Sequence, residues 1–419
     1  MCLNLLSFCV LKKRINPKIL ILCLLYFLSR FLSGASYYHY LLFLRNNVLF
    51  NLLCVNLRTE AFCIYIIFNL HLKVHKSGSS TVANILARYA LYHDLNVALP
   101  KKSPGLSRFN YFDQLHEDHV MALSQGQQYG VLFNHMIYNR SALGQLMPAG
   151  TFYCGIMREP LSRFLSGANY YGYLLPASVK EYLLQEVEAT TKTWGKAQAR
   201  GQGAGVGAVT SGQLEGLAKL LNETVKKKME RMPELYNSLA SDCGLPAKDH
   251  MNEAAVLEHI RKLDRELDLM MVTEHFNESL ILLKRRACLS MKDILYFPLN
   301  SAHKNRVRPL SPSDIDVLRA WQTADHKMYD YFYRKFKEEV LKEGSGFGQE
   351  VTHFTQILQD AKQFCDAVLR GGVDVLVVKA SPWNEEFTLN LEDCRLMQMN
   401  ELDFQKLLID RALRRLGSP

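Results

Sequence analysis

No Cys-x-x-Cys pair and no Cys/His run at zinc spacing occurs among the ten cysteines of this 419-residue chain, so neither a zinc site nor another metal cofactor is expected. The net charge of +9 comes without a long Lys/Arg block or an aromatic RNA-binding motif. Nucleic acid is therefore not an expected partner, and the charge favours smaller anionic ligands. The order Gly-x-x-x-x-Gly-Lys-Ser/Thr of nucleotide kinases is missing, and no aspartate after a strand presents itself as a Mg²⁺ ligand. Residues 1–71 lack an unbroken apolar run. Their longest charge-free stretch near the start, Ile19 to Ser29, falls short of the ~20 residues of a spanning helix. Basic residues on one flank (Lys12, Lys13, Arg14, Lys18) nonetheless give this segment the pattern of a signal-anchor. A repeat period is also absent. Leu28 to Leu42 duplicates Leu161 to Leu175 except for Ser36 in place of Asn169 and His39 in place of Gly172. One copy without a period is no solenoid; it reads as a duplicated fragment, expected to pack poorly.

What is present suits one large α/β domain with appendages: 48% apolar and 22% charged residues over an ample length. The apolar, β-branched run Cys63 to Leu72 reads as a strand. Val82, Ile85, Leu86, Tyr89 and Ala90 then recur at helical spacing, so a helix is expected to end near His93. Between them lies His75-Lys-Ser-Gly-Ser-Ser-Thr81. Lys76, Gly78 and the hydroxyls of Ser77, Ser79, Ser80 and Thr81 stand at a helix N-terminus, where free N–H groups and an ammonium suit a phosphate-type dianion. A second strand, Phe152 to Met157, runs into Arg158-Glu-Pro160, and Pro160 fits the first turn of a helix. Ser166 falls about two turns along that helix. A guanidinium and a hydroxyl so placed can grip one phosphate from two sides. Arg163, about one turn past Arg158, either joins them or forms a helix-surface pair. Tyr129 to His135 is a short buried-type strand. His75, His135 and Arg158 thus each stand beyond the carboxyl end of a strand, where open parallel sheets bind ligands.

The loop Lys76 to Thr81 after one strand and Arg158 with Ser166 after another resemble the two nucleotide-binding signatures of sulfotransferases. More narrowly, the chain resembles the galactose-3-O-sulfotransferase family, galactosylceramide sulfotransferase included. That likeness rests on His75 to Thr81, Asn134-His-Met136, Leu146-Met-Pro148, Arg158-Glu-Pro160, Glu274 to Lys284 and Leu295 to Asn300. It implies a P-loop-like sulfotransferase fold, a central parallel sheet flanked by helices, here with an irregular apolar N-terminal extension (1–71). The catalytic domain is expected over 72–345 and a helical C-terminal part packed on it over 346–419. The resemblance further implies 3′-phosphoadenosine 5′-phosphosulfate as co-substrate and a galactose-terminated glycolipid or glycan as acceptor. It also implies a Golgi membrane protein, type II single-pass, with a luminal catalytic domain. His75 is then the base that takes the acceptor's proton, with His135 the alternative base or the group that orients the acceptor. Lys76 and the N–H groups of Ser77 to Thr81 balance charge on the leaving phosphate, while Arg158 and Ser166 hold the 3′-phosphate. A membrane-bound binding relative without activity is the competing reading, and the intact His75, Lys76, Arg158 and Ser166 argue against it.

Further along, Ser178 to Thr191 is expected as a helix, and Gly195 to Gly216, rich in Gly, Ala and Gln, as a mobile loop. Glu253 to Leu267 reads as a charged amphipathic helix, Leu267 to Thr273 as a buried strand and Phe276 to Cys288 as a helix. The basic turn around Arg306 and Arg308 is a candidate to close over the nucleotide. Ser311 caps a helix expected to run to about Lys342 with an aromatic core face (Trp321, Tyr329, Phe332, Tyr333, Phe336), and one or two helices follow, including Glu401 to Leu416. Cys154, in mid-strand, is expected as a buried thiol. Sequons at Asn139, Asn222 and Asn277 fit a secretory route.

Overall fold

The computed structural model describes residues 69–101, 109, 115–171, 235–299, 311–372 and 375–417. The signal-anchor, the duplicated fragment, the Gly-rich stretch, the Ser178 to Thr191 helix and the turn holding Arg306 and Arg308 lie outside these residues. Among the described residues, no helix is long and apolar enough to cross a membrane.

Four strands form the expected parallel sheet. They are β1 (Asn69–Leu72), β2 (Val131–Leu132), β3 (Phe152–Met157) and β4 (Leu269–Val272). Their order is β2-β1-β3-β4, every neighbouring pair parallel. Strands covered on both faces need apolar side chains both ways. Accordingly β3 is buried at all its positions, as are Leu70, Leu72 and Val74 in and just after β1. The exceptions, His71 and Lys73, are fully buried. Burial, and then the charge of Lys73, pushes His71 down to about 3, so it is neutral. Because β2 and β3 lie on opposite sides of β1, the strand order reverses there. A crevice opens at such a reversal beyond the carboxyl ends of the strands.

Helices cover the sheet: α1 (Ser79–Tyr92), α2 (Arg140–Leu146), α3 (Pro160–Tyr171), α4 (Ser238–Asp242), α5 (Glu253–Glu266), α6 (Phe276–Ala287), α7 (Pro312–Trp321), α8 (Thr323–Lys342) and α9 (Gly346–Val368). A hairpin of β5 (Val375–Val378) and β6 (Phe387–Asn390) follows, then α10 (Leu391–Gln398) and α11 (Glu401–Gly417). α1 is enclosed almost all round, between β1 and β2 on one side and α10 and α11 on the other. Each Leu or Ile it buries, such as Ile85 and Leu86, contributes roughly 1.5–3 kcal/mol. Asn84 ties it to α10 by donating from its amide to the carbonyls of Leu396 (2.9 Å) and Met399 (3.1 Å).

Three sequence expectations need correction. The long helix from Ser311 is two helices: the Ser311/Asp314 capping box forms, but the chain bends at Gln322. There the Trp321 carbonyl accepts from the Asn237 amide (3.1 Å), and the Gln322 amide turns to the Leu235 carbonyl. Tertiary bonds break the helix where no Pro or Gly does. The strand expected over Tyr129 to His135 shrinks to β2, two residues long. The C-terminal third adds the β5–β6 hairpin to its helices, and it is stapled by a Cys365–Cys394 disulfide. Phe332 and Phe336 of the aromatic face are in the core, and Cys154 is a buried free thiol.

Candidate active site

The turn after β1 is built on two left-handed residues, Lys76 (φ 59°) and Gly78 (φ 76°). A lysine in that region costs energy and persists where the surroundings hold it. The Thr273 hydroxyl does much of that holding: it is shared between the Ser77 carbonyl (2.7 Å) and the Met157 carbonyl (2.9 Å), lacing the turn to the end of β3. Gly78 stands at the N-cap of α1 without a side-chain cap. The Thr81 N–H folds back on the Gly78 carbonyl (3.0 Å), so the N–H groups at Ser79 and Ser80 are the ones open to a ligand. The hydroxyls have protein partners instead. Ser79 donates to the Val74 carbonyl (2.7 Å), Ser77 to that of His75 (3.4 Å) and Ser80 to the Glu401 carboxylate (3.0 Å), while Thr81 accepts from the Leu299 N–H (3.3 Å).

The Arg158 guanidinium, at the end of β3, reaches the Lys76 carbonyl (3.5 Å). The two motifs thus meet across the β1/β3 crevice. Burial, and then the Arg158 charge, pushes the Lys76 ammonium down to about 8. Among the described residues neither cation has a carboxylate partner, which leaves two converging positive charges for an anion. Glu159 caps α3 by accepting from the N–H groups of Leu161 (3.1 Å) and Ser162 (2.7 Å). Ser166 lies half-buried on α3, and Tyr170, one turn on, places its ring 3.6 Å from Lys76 Nζ. Residues four apart share a helix face, so the Ser166 face of α3 looks toward the lysine turn.

Arg163 joins none of this, and it forms no surface pair either. It is fully buried, bonded to Asp325 (2.7 Å), the Leu235 carbonyl (3.2 Å) and the Ser238 hydroxyl. Asp325 in turn accepts from the N–H groups of Leu239 (3.3 Å) and Ala240 (2.8 Å). Arg163 and Asp325 therefore pin the start of α4. Its other end carries Asp242, buried, which meets the site. The Asp242 carboxylate accepts from the His75 backbone N–H (2.7 Å) and lies 2.9 Å and 3.0 Å from His75 Nδ1. The Asp242 carbonyl accepts from the Tyr138 N–H (3.0 Å), just past β2. Gly244 permits that approach: at φ +86°, a Cβ there would stand 2.2 Å from the Tyr138 oxygen.

His75 and His135 stack, ring centroids 4.1 Å apart and planes 15° apart. His135 Nδ1 lies 3.1 Å from the Lys73 carbonyl, which can only accept, so that nitrogen carries the proton. Burial first, then the charges of Lys73 and His75, pushes His135 well below the ordinary histidine value, so its ring is neutral. Beside it, both polar atoms of the buried Asn134 amide lack a hydrogen-bond partner. Such unmet demand marks a place where a ligand or water completes the bonding. Beneath the turn, Lys73 is buried and paired with Glu401, the first residue of α11, which also holds Ser80.

His75, Lys76, Arg158 and His135 are thus brought together and Ser166 faces them, and the contacts that Asp242, Thr273 and the Lys73–Glu401 pair make around the candidate site are ones that the sequence reading missed. Nothing local distinguishes Asp242 in the sequence; its link to His75 spans 167 positions.

A family profile described as galactose-3-O-sulfotransferase matches residues 8–194 and 219–383. The chain is 29% identical to galactose-3-O-sulfotransferase 2 of Homo sapiens over 278 residues, which is 65% of this chain and 61% of that protein. It is 26% identical to galactose-3-O-sulfotransferase 3 of Bos taurus over 370 residues (83% and 79%) and 26% identical to galactosylceramide sulfotransferase of Mus musculus over 298 residues (70% and 63%). With its parallel sheet and a profile match over most of its length, this chain belongs to the galactose-3-O-sulfotransferase family.

Proposed function

We propose that the protein transfers a sulfuryl group from 3′-phosphoadenosine 5′-phosphosulfate to the 3-hydroxyl of a terminal galactose on a glycolipid, of the galactosylceramide type, or on a glycan. The observation that carries the reading is the Arg158 contact to the lysine turn, which sets two cations without a carboxylate partner among the described residues, and a helix start without a side-chain cap, beside an imidazole. This chemistry fits a nucleotide with phosphate at two positions. Lys76 and the N–H groups of the turn neutralise the phosphate that leaves, and Arg158 with Ser166 holds the 3′-phosphate. The donor supplies the activated sulfuryl group. His75 takes the acceptor proton while the sugar oxygen bonds to sulfur and the phosphate oxygen departs with the electrons of the broken bond. His135, neutral and stacked on His75, orients the acceptor. We also place the catalytic domain in the Golgi lumen behind an N-terminal anchor. The Cys365–Cys394 disulfide supports an oxidising compartment.

The test is incubation of purified protein with radiolabelled sulfate donor and a panel of galactosylceramide, lactosyl and galactose-terminated glycan acceptors, with and without chelator. Label on the galactose 3-oxygen, undiminished by chelator, is expected. No transfer to any galactosyl acceptor, with the nucleotide still bound, would refute the reading.

A further inference from the structure

We propose that Asp242 is a positioning residue for His75: its carboxylate fixes the ring with the proton on Nδ1, so that Nε2 is the nitrogen that accepts the sugar proton. The inference rests on the sulfotransfer reading and deepens it by assigning the base to His75 rather than His135.

A carboxylate near neutrality can only accept hydrogen bonds. Asp242 lies 2.9 Å and 3.0 Å from His75 Nδ1 through its two oxygens, so Nδ1 must carry the proton. The same carboxylate accepts the His75 backbone N–H at 2.7 Å. Ring and backbone are therefore held by one group, and the imidazole cannot swing without giving up its contact to the carboxylate. The carboxylate side chain is 1% exposed, which strengthens its hold on the imidazolium that forms when Nε2 takes a proton. The rigidity has a source in the fold. α4, which carries Asp242, is clamped at its start by the buried Arg163–Asp325 pair and at its end by the Tyr138 N–H. His135 is arranged differently. Its Nδ1 donates to the Lys73 backbone carbonyl, a neutral acceptor, and after burial the strongest influence on the ring is the cation of Lys73. A proton added to His135 would meet a buried ammonium, whereas one added to His75 meets a buried carboxylate. The stacked pair is thus asymmetric, and the asymmetry selects the base.

Asp242→Asn tests this with little change of shape. The asparagine oxygen can keep the backbone N–H of His75 while its amide nitrogen faces Nδ1. That forces the proton onto Nε2 and removes the basic lone pair. We expect kcat to fall about 10²–10⁴-fold, the range for disabling a general base or its tautomer. The KM for the sulfate donor and the affinity for 3′-phosphoadenosine 5′-phosphate should stay within about twofold, because the asparagine oxygen keeps the backbone contact at His75 from which the lysine turn continues. A merely structural role would move these together with kcat. Independently, ¹⁵N NMR of the histidine rings in the wild-type protein should show His75 protonated on Nδ1, a measurement that does not depend on the variant folding. His75→Ala and His135→Ala are assayed alongside. An Asp242→Asn enzyme within fivefold of wild type, or a His75 ring protonated on Nε2 in the wild type, overturns the proposal. If His75→Ala is inactive in that case, the sulfotransfer reading stands without it. If His135→Ala alone is inactive, the assignment of the base to His75 falls as well.

Discussion

Lys76 should make nucleotide binding depend on pH in a window where few proteins titrate. The free ammonium titrates at about 8, because the turn is partly buried and Arg158 is close. A bound phosphate favours the charged form, so binding raises the pKa. The contribution is therefore fully present below about 8 and falls as pH rises from there toward the higher value of the bound state. With a pKa of about 8 the protonated fraction is about 0.9 at pH 7, about 0.5 at pH 8 and about 0.1 at pH 9. If only the ammonium form binds well, the Kd for 3′-phosphoadenosine 5′-phosphate should rise about tenfold between pH 7 and pH 9. Binding at pH 8 should take up about half a proton. The second ionisation of the phosphates, near pH ~6, is essentially complete by pH 7 and adds little slope. Isothermal titration at pH 7, 8 and 9, repeated in buffers of different ionisation enthalpy, reads both quantities. Lys76→Arg is the control: a guanidinium stays charged throughout and should give a flat profile. A flat wild-type profile, or the same slope in Lys76→Arg, would refute the reasoning.

Arg158→Ala should raise the donor KM about 10- to 100-fold, the worth of a charged hydrogen bond, with the acceptor KM nearly unchanged; equal effects in steady-state kinetics would reject the role. Glu401→Gln leaves Lys73 buried without its carboxylate and should cost about 3–5 kcal/mol in urea melts at pH 7. Burial depresses Lys73 below its usual 10.5, and Glu401 opposes that shift. The unfolded chain therefore holds the proton to higher pH than the folded one, so stability of the variant should climb with pH below 10.5. A loss as large at pH 9.5 as at pH 7 would contradict this. Cys365→Ser opens a loop of 29 residues and should cost about 3–4 kcal/mol by calorimetry under oxidising conditions; an unchanged melt would mean that the bond adds nothing.

Several parts of this architecture were readable before any coordinates. β3 has the residues its apolar run predicts, and α3 starts at Pro160 because a missing N–H does no harm in a first turn. α1 follows its three- and four-residue spacing, and its end at Tyr92 matches the expected stop. The candidate site residues were chosen by type and by place beyond a strand, and the structure brings His75, Lys76, Arg158 and His135 together. What sequence patterning could not show were contacts closed over long separations. Asp242 reaches His75, Glu401 reaches Lys73, and Asp325 receives Arg163, none within a periodic pattern. Arg163 was expected either beside Arg158 or in a helix-surface pair, because an arginine on an amphipathic helix is ordinarily exposed. Its burial is possible only because Asp325 arrives from another helix. The bend at Gln322 escaped notice for the same reason.

The grip of Glu401 on Lys73 has a consequence for the order in which the protein is made. The two residues are 328 positions apart. The lysine turn leaves the ribosome well ahead of the carboxylate that neutralises the charge beneath it and steadies Ser80. Until then the turn rests on an uncompensated cation. A nascent polypeptide still short of α11 therefore carries the lysine turn without the support it has in the folded chain, and the candidate site should be complete only after α11 has emerged.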